Sequence, residues 1–228
     1  MEAEKISIII PILNEANTIE QVLVRLLNIQ NVEVIVVDGG SKDETIAIAQ
    51  SLGVKVICTA AGKASQMNAG AAIATGDILV FLHADTLLPP GFQILIRQAL
   101  QDTETIAGAF ELRIDAQLPG LRFIEKMVNM RSRFFSMPYG DQAIFLRSTI
   151  FAKIGGFPNL PIMEDFEIMR YLKRRGKIVI LSAPVLTSGR RWQKLGVVKT
   201  TLINQVVIFA YLLRVSPEVI VRWYRRNP

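Results

Sequence analysis

Apolar, β-branched runs alternate with amphipathic stretches through the first hundred residues of the chain. The apolar runs have the length and composition of strands covered on both faces, and they comprise residues 6–10, 32–37, 54–58 and 78–82. Helical spacing or small residues characterise the stretches between them, at 18–27, 43–51 and 62–76. Strands that alternate with helices predict a parallel sheet with right-handed crossovers.

The pattern becomes less regular after Gln101. The second part is predicted to contain strands at 106–114, 143–146 and 177–181, and helices at 118–135, 149–154 and 163–175. The sequence contains no internal repeat, low-complexity segment or obvious linker. We therefore predict one compact α/β domain over residues 1–190, in which the half 102–190 is built onto the sheet edge of the half 1–101. A helical extension follows at 191–228.

The extension is apolar from Val197 to Leu213, but Lys199, Asn204 and Gln205 interrupt the run. A membrane-spanning helix needs ~20 predominantly apolar residues, so we predict none here. The alternatives are a helix packed on the body, a homodimer contact, or a helix lying on a bilayer surface. Aromatic and basic residues near the end favour an interface, and packing or a dimer contact is the preferred interpretation.

The composition is typical of a folded chain. The net charge becomes informative when its distribution along the sequence is considered. Half of the 228 residues are hydrophobic and 20% are charged. The formal net charge is +6, but residues 190–228 carry eight Lys and Arg against Glu218 alone, and residues 1–189 are close to neutral. A basic end suits anionic phosphates or a membrane surface. It does not suit a nucleic-acid reader, in which a basic face usually extends through the fold, so we predict no nucleic-acid partner.

The single cysteine, Cys58, excludes an internal disulfide and fits a reducing compartment. Its position in a predicted strand indicates a buried thiol rather than a nucleophile. The N-terminus shows no secretory pattern. We therefore expect a cytoplasmic protein, with peripheral contact at the inner face of the membrane as an alternative.

Polar clusters follow the predicted strands or open a helix, and all contain carboxylates. They are Asn14–Glu15, Asp38 with Asp43, His83 with Asp85, and Glu164–Asp165. Taken singly, the clusters have simpler structural explanations. Asp43 is typical of a helix N-cap, Asp85 is typical of a turn, and the Glu164–Asp165 pair is typical of a helix N-terminus.

Parallel strands, however, present their carboxyl ends at one sheet edge, where ligands bind. Carboxylates that meet there repel each other unless a cation or ligand compensates them. We therefore expect Asp38, Asp85 and Asp165 to line one cavity. No glycine-rich dinucleotide fingerprint and no P-loop is present, so a metal ion is the natural means of holding phosphate.

The ordered set of motifs closely resembles family 2 glycosyltransferases of the GT-A fold, which have a Rossmann-like central sheet. The resemblance covers residues 5–190, and its motifs are Pro11-Ile12-Leu13-Asn14-Glu15, Asp38-Gly39-Gly40-Ser41-Lys42-Asp43, His83-Ala84-Asp85, Gly155-Gly156-Phe157 and Glu164-Asp165. The sequence is similar to a small bacterial subgroup with His-Ala-Asp in place of Asp-x-Asp. The family's activity is an inverting transfer of sugar from a nucleotide-diphospho-sugar, with a UDP-sugar as the first expectation, to an acceptor hydroxyl.

The resemblance implies a nucleotide-binding half over residues 1–101 and an acceptor side over 102–190. Residues implied in nucleotide binding are Pro11, Asn14, Glu15, Asp38, Gly40, Lys63, His83 and Ala84. Asp85 matches the last acid of the Asp-x-Asp motif and is implied to bind Mn²⁺ or Mg²⁺. Arg190 or Arg191 would stabilise the departing diphosphate.

Asp165 is implied to be the general base, with Glu164 as the alternative base or as its support. Asp141 and Gln142 are candidate donor or acceptor contacts, although a polar turn before a strand explains them nearly as well. The acceptor is either a lipid or a small soluble molecule.

His83 departs from the family pattern, in which the first position is usually Asp. A neutral imidazole supplies no negative charge, so we expect His83 to touch ribose or to pack while Asp85 alone binds metal. The substitution supports a rival hypothesis, a non-catalytic nucleotide-binding or membrane-docking module. A nucleotidyltransferase is disfavoured because its glycine-rich loop is missing after the first strand.

Overall fold

The computed structural model describes residues 3–226 and contains an eight-stranded sheet in the order β3-β2-β1-β4-β7-β6-β8-β5. Its strands are β1 (Ile6–Ile12), β2 (Val32–Asp38), β3 (Lys55–Cys58), β4 (Ile78–Phe81), β5 (Thr86–Leu87), β6 (Thr105–Asp115), β7 (Ile144–Arg147) and β8 (Lys177–Ser188). Strands β1 to β4 pair in parallel, as the sequence predicts. The second part joins through β7, which is antiparallel to both β4 and β6.

Ten α-helices are described between residues 3 and 226. They are α1 (Ile19–Val24), α2 (Thr45–Ser51), α3 (Lys63–Ile73), α4 (Phe92–Ala99), α5 (Leu121–Phe135), α6 (Ser148–Ile154), α7 (Glu164–Lys173), α8 (Arg190–Leu195), α9 (Val197–Leu212) and α10 (Pro217–Arg226). The helices predicted in both parts of the chain are therefore present, with ends shifted by a few residues.

The core lies on both faces of the sheet because alternate strand residues point in opposite directions. In β1, Ile8 and Ile10 pack on the side of α1, α2 and α4, whereas Ile9 packs on the side of α3, α6 and α7. All seven residues of β1 are buried. This explains why the strand consists almost entirely of β-branched residues.

Gly70 allows α3 to lie directly on the sheet. A Cβ at this position would come within 2.5 Å of Ile9 Cγ2 and 2.9 Å of Val37 Cγ2, so only glycine permits this approach. The close packing fixes the first residue of α3, Lys63, near the carboxyl ends of the parallel strands.

Strand β8 is longer than the sequence predicts, since it continues from Leu181 to Ser188. Pro184 suggests a break after residue 181, but the register against β6 shifts between Phe110 and Glu111 and absorbs the extra residues. An irregularity of this kind is where a strand tolerates proline. The extension brings the end of β8 beside Asp85, whose carbonyl accepts a hydrogen bond from Ser188 N at 3.1 Å.

Cys58 is exposed at the end of β3, so the prediction of a buried thiol is wrong. β3 is the edge strand and pairs only with β2. A strand at this position has a less covered surface than β1 or β4.

The C-terminal helices pack on each other and on the start of α7. Met163, Val207 and Ile220 form a small separate core. Among residues 3–226, no helix combines the length and apolarity required to cross a bilayer.

Candidate active site

The loops after β1 and β2 are joined by reciprocal hydrogen bonds. Asn14 N donates to Ser41 Oγ at 2.9 Å, and Lys42 N donates to Asn14 Oδ1 at 2.8 Å. Asp38 is 1% exposed, and its Oδ2 accepts hydrogen bonds from Gly40 N at 2.7 Å and Ser41 N at 3.0 Å. The Asp38 carboxylate therefore shapes its own turn, in which Gly40 has φ +99°.

Gln66 connects the carboxyl ends of β1 and β2, and the sequence reasoning missed it. Its Nε2 donates to Ile12 O at 2.9 Å and to Val37 O at 2.7 Å, and the residue is 3% exposed. A buried amide that binds two strand ends makes this edge rigid. The available signal was a glutamine in the first turn of a helix otherwise rich in small residues.

Arg190 joins two of the predicted site residues from the far end of the chain. Its Nη2 lies 2.9 Å from Glu15 Oε2 and 3.4 Å from Asp85 Oδ2. The hydrogen bond that Arg190 donates to Glu15, together with the charge of both acids, raises the pKa of Arg190. We refer to Glu15, Asp85 and Arg190 as the paired cluster. Asp85 and Arg190 line a solvent-open cleft.

A second group of acids lies at the start of α7. Asp165 Oδ2 accepts a hydrogen bond from Gly140 N at 2.7 Å, and its Oδ1 accepts one from Phe166 N at 2.7 Å. Glu164 is 7% exposed. We refer to Asp141, Glu164 and Asp165 as the acid cluster.

Burial and the neighbouring charge of Asp165 disfavour the charged forms of Glu164 and Asp141. Burial, and then the neighbouring Asp165, raise the pKa of Glu164. The same two causes raise the pKa of Asp141 to about 6, against the opposing effects of Arg131 and Lys63. Asp141 Oδ1 is buried and has no hydrogen-bond partner among the described residues.

His83 lies between the two clusters. It is two residues from Asp85, and together with Glu164 and Asp165 it lines a small cavity. A Cβ at Gly140 would lie 3.1 Å from both His83 Nε2 and Asp165 Oδ2. Burial and the nearby Lys63, whose Nζ is 3.3 Å from His83 Nε2, hold the pKa of His83 well below its ordinary value. The imidazole is therefore neutral.

One further residue beside the acid cluster, Arg131, was not predicted. The Arg131 guanidinium lies 3.7 Å from the centroid of the Tyr139 ring, and the Tyr139 ring lies 6.3 Å from that of Phe166. Arg131 is within α5, and its sequence context offered no signal for this contact.

Gln142 and Arg191 make internal contacts. Gln142 is fully buried, accepts a hydrogen bond from Ser132 Oγ at 2.7 Å and donates one to Phe110 O at 2.8 Å. The Arg191 guanidinium lies 4.1 Å from the centroid of the Tyr224 ring, and burial lowers the pKa of Arg191. The amide of Gln142 supports the loop after α5, and Arg191 attaches α10 to α8.

Asp38, Asp85 and Asp165 have different immediate surroundings, and their convergence on one cavity stays a prediction. Asp85 lies with Arg190 at the open cleft, Asp165 lies with His83 at the small cavity, and Asp38 binds the backbone of its own turn. The reason lies in their partners. Arg190 pairs with Asp85 and Glu15 on one side, while Gly140 N binds Asp165 on the other.

Within residues 3–226, no three His, Cys, Asp or Glu side chains lie close enough to form a metal site on their own. Asp85 is a single carboxylate at an open cleft. One carboxylate completed by phosphate oxygens and water is a common way to bind Mg²⁺. The residues therefore fit a metal ion that arrives with a diphosphate.

The sequence profile described as Glycosyl transferase family 2 matches residues 7–154, about two thirds of the chain. The chain belongs to glycosyltransferase family 2. An uncharacterized glycosyltransferase of Rickettsia typhi is 30% identical over 181 residues, which are 72% of this chain and 57% of the relative. An undecaprenyl-phosphate 4-deoxy-4-formamido-L-arabinose transferase of Sodalis glossinidius is 27% identical, over 65% of this chain and 49% of the relative. This family 2 chain thus spans about half the length of these curated relatives.

Solved structures with the same fold are glycosyltransferases of the GT-A type. A Pyrobaculum calidifontis mannosyltransferase in complex with GDP-Man and Mn²⁺ aligns with a TM-score of 0.68 at 19% identity, over 95% of this chain and 66% of that one. The structure of S. aureus TarS 1-349 with UDP aligns with a TM-score of 0.67 at 18% identity, over 81% of this chain and 60% of that one. The predicted GT-A fold and the predicted membership of family 2 are confirmed.

The family match ends at residue 154. It includes Asp38, Asp85 and Asp141, but it does not reach Glu164, Asp165 or Arg190. The roles of these last three residues are therefore argued from their geometry.

Proposed function

We propose that this family 2 glycosyltransferase moves a sugar from a nucleotide-diphospho-sugar, a UDP-sugar by preference, to an acceptor hydroxyl with inversion, and that Asp165 is the general base. The observation that carries the proposal is the position of Asp165. Its carboxylate is held by two backbone N–H groups at the wall of a cavity beside His83.

The nucleotide is proposed to bind at the joined loops after β1 and β2. Pro11, Asn14 and Asp38 shape these loops, and Gly40 leaves the loop surface open, since no atom lies within 4 Å of a Cβ placed there. Lys63, His83 and Ala84 lie at the next strand end, where an ammonium group beside a neutral imidazole suits a phosphate or ribose. The UDP and GDP-Man complexes of similar folds support a nucleotide-sugar as the donor.

Asp85 would hold Mn²⁺ or Mg²⁺ together with the diphosphate. When bound, the metal ion supplies positive charge that stabilises the departing diphosphate. Arg190 already supplies one positive charge at the same carboxylate, at 3.4 Å. In the proposal it moves from Asp85 onto the diphosphate, where a guanidinium binds phosphate oxygens well.

Asp165 is the better candidate for the base than Glu164. Glu164 is almost fully buried, and its raised pKa reflects that burial. Asp165 is fixed in orientation by hydrogen bonds from Gly140 N and Phe166 N, and a general base must be oriented within about 3 Å of the acceptor proton. A single attack on the face opposite the diphosphate inverts the anomeric carbon.

The acceptor is proposed to be the hydroxyl of a lipid that approaches from the side of α5 and α9. The name of the Sodalis relative contains a lipid, and both helices carry exposed apolar residues. Asp141 and the Arg131–Tyr139 pair lie on this side of Asp165 and are proposed to contact donor sugar or acceptor.

Calorimetry with UDP, GDP and dTDP, each with and without Mn²⁺, tests the proposal. We expect one nucleotide to bind, more tightly with metal, and its sugar conjugates to be hydrolysed slowly without an acceptor. Binding of none of the three would contradict the proposal. Binding without hydrolysis or transfer of any sugar would favour a non-catalytic nucleotide-binding module.

A further inference from the structure

One face of α9 consists of exposed apolar side chains. Val198, Leu202, Val206, Phe209 and Leu213 recur at helical spacing, and they are 73%, 59%, 48%, 61% and 78% exposed. We refer to these five residues as the α9 stripe. Soluble monomers rarely present a continuous apolar surface of this kind unless it binds something.

The α9 stripe is not required for packing within the chain. The opposite face of α9 supplies the buried residues Thr200, Ile203 and Val207. Val207 packs with Met163 and Ile220. The helix is therefore held in place by one face while the other remains outside the fold.

The C-terminal helices also carry many basic residues. Exposed Lys and Arg side chains on and between α8, α9 and α10 include Lys194, Lys199, Arg214, Arg222, Arg225 and Arg226. Glu218 is the only acid from residue 190 to the end. A second copy bound through a two-fold axis would place two such basic segments against each other. An anionic bilayer complements both the apolar stripe and the charge.

We propose that α9 lies in the surface of an anionic lipid bilayer, with the α9 stripe inserted among the acyl chains and the basic residues of α8 to α10 on the headgroups. The proposed partner of the α9 stripe is therefore a membrane and not a second copy of the chain.

The same helix contacts the acid cluster's own helix. The Tyr211 ring lies 5.8 Å from the ring of Phe166, and Tyr211 Oη donates to Glu167 Oε1 at 2.8 Å. Phe166 directly follows Asp165. Docking through α9 thus brings Asp165 close to the bilayer, which deepens the proposed function by placing its acceptor in the membrane. The docking itself does not depend on sugar transfer.

Flotation of the full chain with vesicles tests the proposal. The vesicles are phosphatidylcholine alone or phosphatidylcholine with phosphatidylglycerol, and the variant is Leu202→Ser with Phe209→Ser. The matched control is Val24→Ser with Ile94→Ser, which removes apolar residues of similar exposure, 55% and 54%, from α1 and α4. We expect the intact chain to float with anionic vesicles, the stripe variant to bind at least tenfold more weakly, and the control to stay within twofold.

A second variant tests the charge without changing the stripe. Arg222→Gln with Arg225→Gln should weaken binding to anionic vesicles and reduce its dependence on salt. Unchanged flotation of both variants would overturn the proposal. So would the absence of flotation by the intact chain, or a dimer in sedimentation that the stripe variant abolishes.

Nucleotide binding separates this proposal from the proposed function. The stripe variant should bind UDP with Mn²⁺ as the intact chain does. If the intact chain binds no nucleotide, that result contradicts the transferase mechanism but does not affect the flotation result.

Discussion

The two groups of acids at the carboxyl edge of the sheet differ in how their charge is compensated. In the paired cluster, Glu15 and Asp85 share the guanidinium of Arg190, whose side chain is half exposed. In the acid cluster, none of the three carboxylates forms an ion pair with a described residue, and burial raises the pKa of Glu164 and Asp141. In the paired cluster, another cation can replace the Arg190 guanidinium. In the acid cluster, Glu164 and Asp141 hold their protons more strongly than usual.

The two clusters therefore suit two different chemical tasks. A leaving diphosphate needs positive charge, and an attacking hydroxyl needs a proton acceptor. A cation bound to all of these carboxylates, Asp165 included, would make the general base less able to accept a proton. Because Asp85 pairs with Arg190 while Asp165 is held by Gly140 N, each carboxylate can serve one task.

The largest expected effect comes from Asp165→Asn. The substitution keeps the shape and the hydrogen bond from Gly140 N but removes the proton acceptor, so we expect turnover to fall about a thousandfold. Nucleotide affinity, measured by calorimetry, should stay within a few-fold. The matched variant Glu164→Gln should lose much less turnover. The reverse order of the two variants would assign the base to Glu164, and full turnover in Asp165→Asn would refute the base assignment.

An intermediate effect is expected from Arg190→Gln. Asp85 and Glu15 then lack their guanidinium, so Mn²⁺ without nucleotide should bind about tenfold more tightly, because each such charged hydrogen bond is worth ~1.5–3 kcal/mol. UDP in the presence of Mn²⁺ should bind more weakly. Mn²⁺ titration followed by electron paramagnetic resonance measures the first effect and calorimetry the second. Lys194→Gln, an exposed change in the same helix, is the control. Unchanged Mn²⁺ affinity would mean that Arg190 does not compete for Asp85.

A change in stability rather than in activity concerns Asp141. The unfolded carboxyl loses its proton near its ordinary pKa of 3.8, and the folded one near about 6. Stability therefore falls as the pH rises between these values, because only the unfolded state releases the proton. Two pKa units correspond to at most about 3 kcal/mol.

Asp141→Asn should remove this loss and be more stable than the unchanged chain at pH 7, with no advantage at pH 4. Urea unfolding at both pH values measures the difference. Equal stability of the two proteins at pH 7 would show that the Asp141 carboxyl is not held against ionisation.

The parallel half of the fold was predictable because its strands are β-branched runs followed by turn residues. Ile6–Ile12 is buried throughout and Val32–Asp38 is buried from Ile35 onward, and the two strands lead into Asn14 and Gly40. Parallel pairing then places their ends together. The positions of Asp38 and Asp85 at this edge follow from local sequence alone.

The remaining features depend on contacts between distant parts of the chain. Strand β8 continues past Pro184 only because β6 shifts register beside it. That extension delivers Arg190 to Glu15, from which it is separated by 175 positions in sequence. The Gly140–Asp165 hydrogen bond likewise joins residues 25 positions apart. Neither spacing nor periodicity encodes which of these side chains meet, so the division of the acids into two groups could not be foreseen.

The exposed thiol at the end of β3 has a practical consequence. Cys58 is the only cysteine in the sequence and pairs in register with Asp38, while the next residue, Thr59, donates its N–H to Asp38 O at 2.9 Å. A maleimide fluorophore would attach there and nowhere else, one strand away from the loop that precedes α2. The native chain therefore carries its own labelling position for following ligand arrival by fluorescence, without any engineered substitution.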